Sequence, residues 1–273
     1  MKLSISNIAW PLAEEEKFLK VIKECGCSGV EIAPSKLWPE PVRSTKEDRK
    51  AYKSLAADNG LEIPAIQALL YTRRDLGLFR SEEIEKETIE YLKKLCEVAS
   101  DLGAKALVFG SPGNRKRGSM PMEEAFVKAA SFFSRLAPSA EKLGVCVCVE
   151  PLRPDETDFI TKAAEGVRLA AMVNNPGFGL HLDAKAVAAE GNDYMSLIKS
   201  VKGKFSHFHI NDPELGEVGS TGTVDHFAMG KALKASGYDR YVSIEMRMQP
   251  DHYSSIKKSL EIANKAYVDQ GRI

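Results

Sequence analysis

Two hydrophobic periods take turns along the chain from one end to the other. Runs of period two, or of continuous apolar residues, fall at 3–9, 29–33, 62–70, 106–111, 145–150, 179–184, 205–211 and 241–247, the spacing of half-buried or fully buried strands. Each is followed by a stretch with side chains repeating three and four apart, such as Phe18, Leu19 and Ile22, or Ile84, Thr88, Tyr91, Leu92 and Leu95, which is the spacing of an amphipathic helix. Gly60, Gly103, Gly144 and Gly237 stand just after helical patterns and just before strands, where a left-handed helix terminus belongs. The first strand lacks a Gly-rich dinucleotide fingerprint after it, and no linker or composition shift divides the chain. The eight βα units therefore predict one α/β domain over residues 1–273, a single closed (β/α)8 TIM barrel rather than an open doubly wound sheet.

Composition narrows the partners. The 273 residues carry 38 basic and 38 acidic side chains, a formal net charge of zero. A general nucleic-acid or membrane-surface binder needs an uncompensated basic face, so neither partner is expected. Cys25, Cys27, Cys96, Cys146 and Cys148 are odd in number and lie in apolar stretches, the setting of reduced core thiols. The two C-x-C pairs lack the companion cysteines and histidines of a zinc site. The N-terminal stretch has no continuous apolar core of a signal peptide, and no run of 18 apolar residues occurs. A soluble, cytoplasmic protein is expected, with a homo-oligomer left open.

Barrel active sites are built where strands end and the next loops begin. Four such ends carry ionisable groups: Glu150 after Val147-Cys148-Val149, Asp183 after Leu180-His181-Leu182, His209 after His207-Phe208, and Glu245 after Val242-Ser243-Ile244. Strand parity then places Cys146 and Cys148 below Glu150, His181 below Asp183, His207 below His209 and Ser243 below Glu245, all facing inward, with the apolar neighbours facing the helices. Four ionisable groups converging in an apolar barrel cannot all stay charged and unpaired, because desolvation costs several kcal/mol per ion. A divalent cation resolves this, and three carboxylates with one imidazole suit Mn²⁺, Mg²⁺, Co²⁺ or Zn²⁺. The alternative is a salt-bridge network with Lys185 and Arg247, the cations beside these positions.

The order Glu-Pro at 150–151, Leu-Asp at 182–183, His-Phe-His at 207–209 and Ile-Glu at 244–245, with Gly237-Tyr238-Asp239 ahead of the last strand, resembles the xylose isomerase-like sugar isomerases and epimerases. These include ketose 3-epimerases, hydroxypyruvate isomerase and inosose dehydratase. The resemblance implies one divalent metal held by Glu150, Asp183, His209 and Glu245, with Glu150 and Glu245 doubling as acid and base through a metal-stabilised enediolate. It also implies a substrate contact from Glu156. Two sugar-holding positions depart from the ketose 3-epimerase pattern: Ala186 stands where a histidine is usual and Leu215 where an arginine is usual.

Other groups could complete recognition. The turn 109–118 ends in Arg115, Lys116 and Arg117, which with backbone N–H groups could hold a phosphate or carboxylate; a solvated basic loop is the alternative. Gln67 and Glu31 either reach ligand or metal-bound water, or hydrogen-bond one another. Trp10 and Trp38 could wall a sugar or simply cap the barrel. His181 and His207 are expected beneath the ligands, His226 and His252 at helix starts facing solvent. The loop holding Gly216, Gly219 and Gly222 is long enough for a lid. The expected function is a divalent-metal-dependent isomerase or epimerase acting on a sugar, sugar phosphate or sugar acid. The alternatives are a polyol dehydratase on the same scaffold, an endonuclease-four-like phosphodiesterase, for which five histidines are few, and a non-catalytic sugar-binding barrel.

Overall fold

The alternating segments become eight parallel strands in a computed structural model that describes residues 1–268. They are β1 (Lys2–Ser6), β2 (Gly29–Glu31), β3 (Ala65–Ile66), β4 (Ala106–Phe109), β5 (Cys146–Val149), β6 (Phe178–Asp183), β7 (Phe205–Ile210) and β8 (Tyr241–Ile244). Their order is β2-β1-β8-β7-β6-β5-β4-β3. The ring closes between β2 and β3 through bridges from Gly29 to Glu62 and Ile32 to Ile66, with Val30 N–H donating to Glu62 C=O at 2.9 Å and Ile32 N–H to Ala65 C=O at 3.1 Å. The result is the expected (β/α)8 barrel.

The helices are α1 (Glu15–Glu24), α2 (Pro34–Leu37), α3 (Lys46–Asp58), α4 (Glu82–Leu102), α5 (Met122–Lys142), α6 (Ala163–Val173), α7 (Ala184–Glu190), α8 (Tyr194–Ser200), α9 (His226–Ser236) and α10 (His252–Ala263). Side-chain caps start several of them: Thr45 and Asp48 form a reciprocal capping box on α3, and Ser81 caps α4. Such caps satisfy amide donors that the first turn leaves open. The four glycines expected at helix ends all have positive φ. Among the described residues, no helix is long and apolar enough to cross a membrane.

Strand parity divides the molecule into two interiors. Leu107 and Phe109, Val147 and Val149, Leu180 and Leu182, and Val242 and Ile244 face outward into the main core with the helices. Burying each such side chain contributes roughly 1.5–3 kcal/mol. The lumen is a separate, smaller apolar cluster of Ala65, Ala106, Cys146 and Cys148, and above it the interior turns polar. His181, Asp183, His207, His209 and Ser243 are all buried.

The strand expected at 62–70 shrinks to two residues. Pro64 has no N–H to offer the ladder, and Ala68 adopts φ +55°, which turns the chain out of the sheet. His226 is buried rather than solvent-facing. Its Nδ1 lies 2.8 Å from the Tyr267 hydroxyl and its Nε2 3.0 Å from Asp212. Asp212 also accepts from Gly219 N–H at 2.5 Å and from Thr221 Oγ1, so the glycine-rich loop after β7 is pinned from within.

Candidate active site

The C-terminal ends of β5 to β8 deliver four side chains to one place. One ligand atom from each of Glu150, Asp183, His209 and Glu245 lies within 4.8 Å of the others. Parallel strands in register bring this about: Asp183 pairs with His209 and His209 with Ser243, so alternation points the group into the same layer of the lumen. Gly110, at the end of β4, makes room for it. A Cβ there would overlap Glu150 Oε2, so any larger residue would displace the carboxylate.

Hydrogen bonds fix the ligand atoms. Asn211, two residues beyond His209 and on the same face, donates Nδ2–H to Asp183 Oδ2 and lies 3.4 Å from Glu245 Oε2. Its Oδ1 accepts from Lys185 N–H at 3.2 Å. Asp183 caps α7, accepting from Ala186 N–H at 2.9 Å. Glu31, at the base of the site, accepts from His207 Nε2–H at 2.9 Å and from His209 Nε2–H at 2.8 Å. Its partners are thus the two histidine rings and not Gln67. With Nε2 committed, His209 Nδ1 faces Glu245 at 3.4 Å and Glu150 at 3.7 Å. That nitrogen is buried and makes no hydrogen bond.

The electrostatics record a shortage of positive charge. Burial, with the charges of Asp183 and Glu245, pushes the Glu150 carboxyl up to about 7 against the pull of His209. Burial also raises Asp183. At Glu245 burial acts upward, but the His209 ring and Lys185 outweigh it and hold the carboxyl below the usual range. Burial opposes charge on His209 too, yet Glu31, Glu245 and Glu150 keep it well above an ordinary histidine.

A divalent cation fits this donor set. Three carboxylates and an imidazole with an unpartnered nitrogen are the ligands such an ion takes, and its charge would relieve the crowding of acids. With an ion bound, Glu31 would play the part of the carboxylate that orients a metal-binding histidine. Glu31→Gln is expected to weaken Mn²⁺ or Zn²⁺ binding about 10- to 100-fold, because the two rings bond different oxygens of Glu31 and glutamine replaces one of these acceptors with an NH2 donor. Calorimetric titration checks this; unchanged affinity would show that the Glu31–His209 contact does not orient a ligand.

A cavity of about 590 Å³ opens above these groups, lined by Gln67, Tyr71, Arg74, Arg80, Glu156 and Lys185 together with Glu150 and Glu245. Gln67 also donates to Ser6 Oγ at 3.0 Å. Glu156 lies 3.3 Å from Lys185 Nζ, so Lys185 supplies the one amine in this wall. Three lining residues, Ala68, Ser111 and Leu215, have positive φ without being glycine. Such strain is typical of sites whose surroundings over-determine them.

Arg115 and Arg117 do not line the cavity. The buried Arg115 guanidinium donates Nη2–H to the Glu150 carbonyl at 2.6 Å, bracing the end of β5. Arg117 donates Nε–H to Asp158 C=O at 3.0 Å and Nη1–H to Met120 C=O at 2.6 Å, which ties two loops together. Both residues thus make structural contacts to backbone carbonyls, outside the lining of the cavity. Trp10 stacks on Phe18 with centroids 5.5 Å apart, and Trp38 meets Tyr52 edge-on; both serve as packing rather than a sugar wall. Arg247 is exposed, leaving Lys185 as the cation at the acids.

Residues 19–266 match the model of the xylose isomerase-like TIM barrel family. The chain belongs to that family. Among curated relatives, this xylose isomerase-like barrel is 28% identical over 201 residues to a ketose 3-epimerase of Arthrobacter globiformis, covering 72% of this chain and 68% of that one. It is 26% identical over 249 residues to an L-ribulose 3-epimerase of Mesorhizobium japonicum, covering 89% and 80% respectively. Its fold matches a crystal structure of a 3-keto-D-glucoside 4-epimerase from E. coli with TM-score 0.83 at 20% identity, over 97% of this chain and 99% of that one.

Tyr71, Arg74, Arg80 and Asn211 were not singled out from sequence. Asn211 was readable, since the alternation that turns His207 and His209 inward continues to it. The other three lie in an aperiodic loop.

Proposed function

We propose that this chain, acting as one barrel domain, is a divalent-metal-dependent isomerase or epimerase of carbohydrates that moves a proton between a substrate carbon and the carboxylates of Glu150 and Glu245. The observation that carries this reading is the convergence of Glu150, Asp183, His209 and Glu245 within 4.8 Å around the unpartnered Nδ1 of His209. The relatives named as ketose 3-epimerases support it. Nothing in the geometry favours the dehydratase alternative. Five free cysteines fit a reducing, cytoplasmic setting.

Glu150, Asp183, His209 and Glu245 would hold the ion, and the metal, of the Mn²⁺, Mg²⁺, Co²⁺ or Zn²⁺ type, would supply electrostatic stabilisation of negative charge developing next to the reacting carbon. Glu150 and Glu245 come from strands three apart around the barrel, so one can remove a proton while the other returns one from a different direction. Inversion at a carbon draws on that geometry, because the proton leaves one face and returns to the other. Lys185 and Glu156 offer a donor and an acceptor to substrate hydroxyls. Arg115 and Asn211 hold acids in place, Arg115 through the Glu150 backbone. His181 and His207 are buried beside the acids, His181 3.5 Å from Glu150 and His207 2.9 Å from Glu31.

Incubating the protein and Mn²⁺ with a panel of ketoses, and reading products by NMR, tests the proposal. Interconversion of two sugars that differ at a carbon next to the carbonyl is expected. Phosphodiester cleavage, or loss of water from the sugar, would overturn it.

A further inference from the structure

The cavity is acidic at its inner end and basic at its outer end. Glu150 and Glu245 lie at the floor, while Arg74 and Arg80 line the same cavity and are exposed to solvent. The loop that carries them shows how its cations are used. Arg73 is committed within the protein, 2.6 Å from both Asp75 and Glu87. Neither Arg74 nor Arg80 forms an ion pair among the described residues: Asp75, which feels the charge of Arg80, is already gripped by Arg73 through both of its oxygens. Arg80 donates to the Arg74 carbonyl at 3.5 Å.

This outer wall is built. Asn114 donates Nδ2–H to the carbonyls of Arg73 and Leu76, both at 2.9 Å, and its own carbonyl accepts from Leu78 N–H at 2.7 Å, joining the arginine loop to the turn after β4. The Arg80 stem lies against Gly77, where a Cβ would come within 2.9 Å of Arg80 Cγ and of the Asn114 carbonyl. The glycine permits that approach. Tyr71, 72% exposed, adds an aromatic face to the same wall.

Resting on the function proposed above, we infer that the substrate carries an anionic group, a phosphate or a carboxylate, at the end remote from the reacting carbon, and that Arg74 and Arg80 bind it. Two guanidiniums present forked donors that match either anion. A ligand spanning the cavity then places its charge at the mouth, on Arg74 and Arg80, and its uncharged carbonyl end beside Glu150 and Glu245. Orientation and substrate choice follow from one charge pattern.

The test compares binding by calorimetry of D-fructose, D-fructose 6-phosphate and the keto acid D-fructuronate to the Mn²⁺-loaded protein and to its R74A/R80A variant, with turnover measured alongside. One or both anionic ligands should bind roughly 10- to 100-fold more tightly than fructose, and the preference should vanish in the variant and shrink with added salt. Fructose binding should change less than that of the preferred anionic ligand. The arm that shows the preference tells phosphate from carboxylate. Equal binding of all three, or a preference that survives R74A/R80A, overturns the inference. An arginine-dependent preference without turnover or solvent exchange of any sugar sustains the anion site and instead overturns the proposed function.

Discussion

Glu150→Gln and Glu245→Gln are each expected to lower turnover by roughly 10²- to 10⁴-fold, the contribution of a positioned general acid or base. Glutamine keeps the volume and one oxygen of the side chain but can neither take up nor deliver the proton. The fold should survive, because neither carboxylate is needed for packing. Glu150 is held up to about 7 by burial and by the acids beside it, so its charge is a burden on the metal-free protein. The metal-free E150Q protein should melt no lower than the metal-free wild type. Steady-state kinetics with thermal melts separates the two effects. Turnover at the wild-type rate in both variants would remove these residues from proton transfer.

Stripping the metal with a chelator is expected to abolish turnover and lower the thermal midpoint, with both restored by Mn²⁺, Co²⁺ or Zn²⁺. Two unit charges 4 Å apart interact by about 4 kcal/mol at the effective dielectric of a protein surface, and here three carboxylates gather at one imidazole. A ligand present at a hundred times its dissociation constant stabilises the native state by about 2.7 kcal/mol. His209→Ala should reproduce the effect of the chelator, since it deletes the one nitrogen among the four candidate ligands and removes one of the two imidazoles that Glu31 accepts from. The competing idea, that Lys185 alone balances the acids in a salt-bridge network, expects no response to chelation. Lys185 lies 3.3 Å from Glu156 and makes no ion pair within 4.0 Å with the other three acids among the described residues.

The parity of the strands was the most informative feature of the sequence. Alternation in β5 to β8 placed Glu150, Asp183, His209 and Glu245 in one layer, and the register of the parallel ladder brings them together. Glu31 was visible as a polar residue in an apolar strand, but its partners lie 176 and 178 residues away, and no local pattern reports a contact of that range. Loops were less readable for the same reason. Arg115 and Arg117 stand in a turn without periodicity, so nothing in the spacing told that one would brace the Glu150 carbonyl and the other would clamp Asp158. Arg74 and Arg80 lie in a similar stretch, and only the folded structure brings them to the cavity. His226 follows the Asp225 cap of its helix, an exposed position by local rules, yet Asp212 and Tyr267 draw it inward.

Solvent-deuterium incorporation tests the central claim most directly. The metal-loaded protein is incubated in D₂O with a ketose that it converts, and the product is analysed by NMR and mass spectrometry. The proton-transfer account expects one deuterium at the carbon where configuration or bonding changes, with none incorporated by the E150Q/E245Q double variant. Conversion that leaves the original hydrogen on that carbon throughout would contradict it.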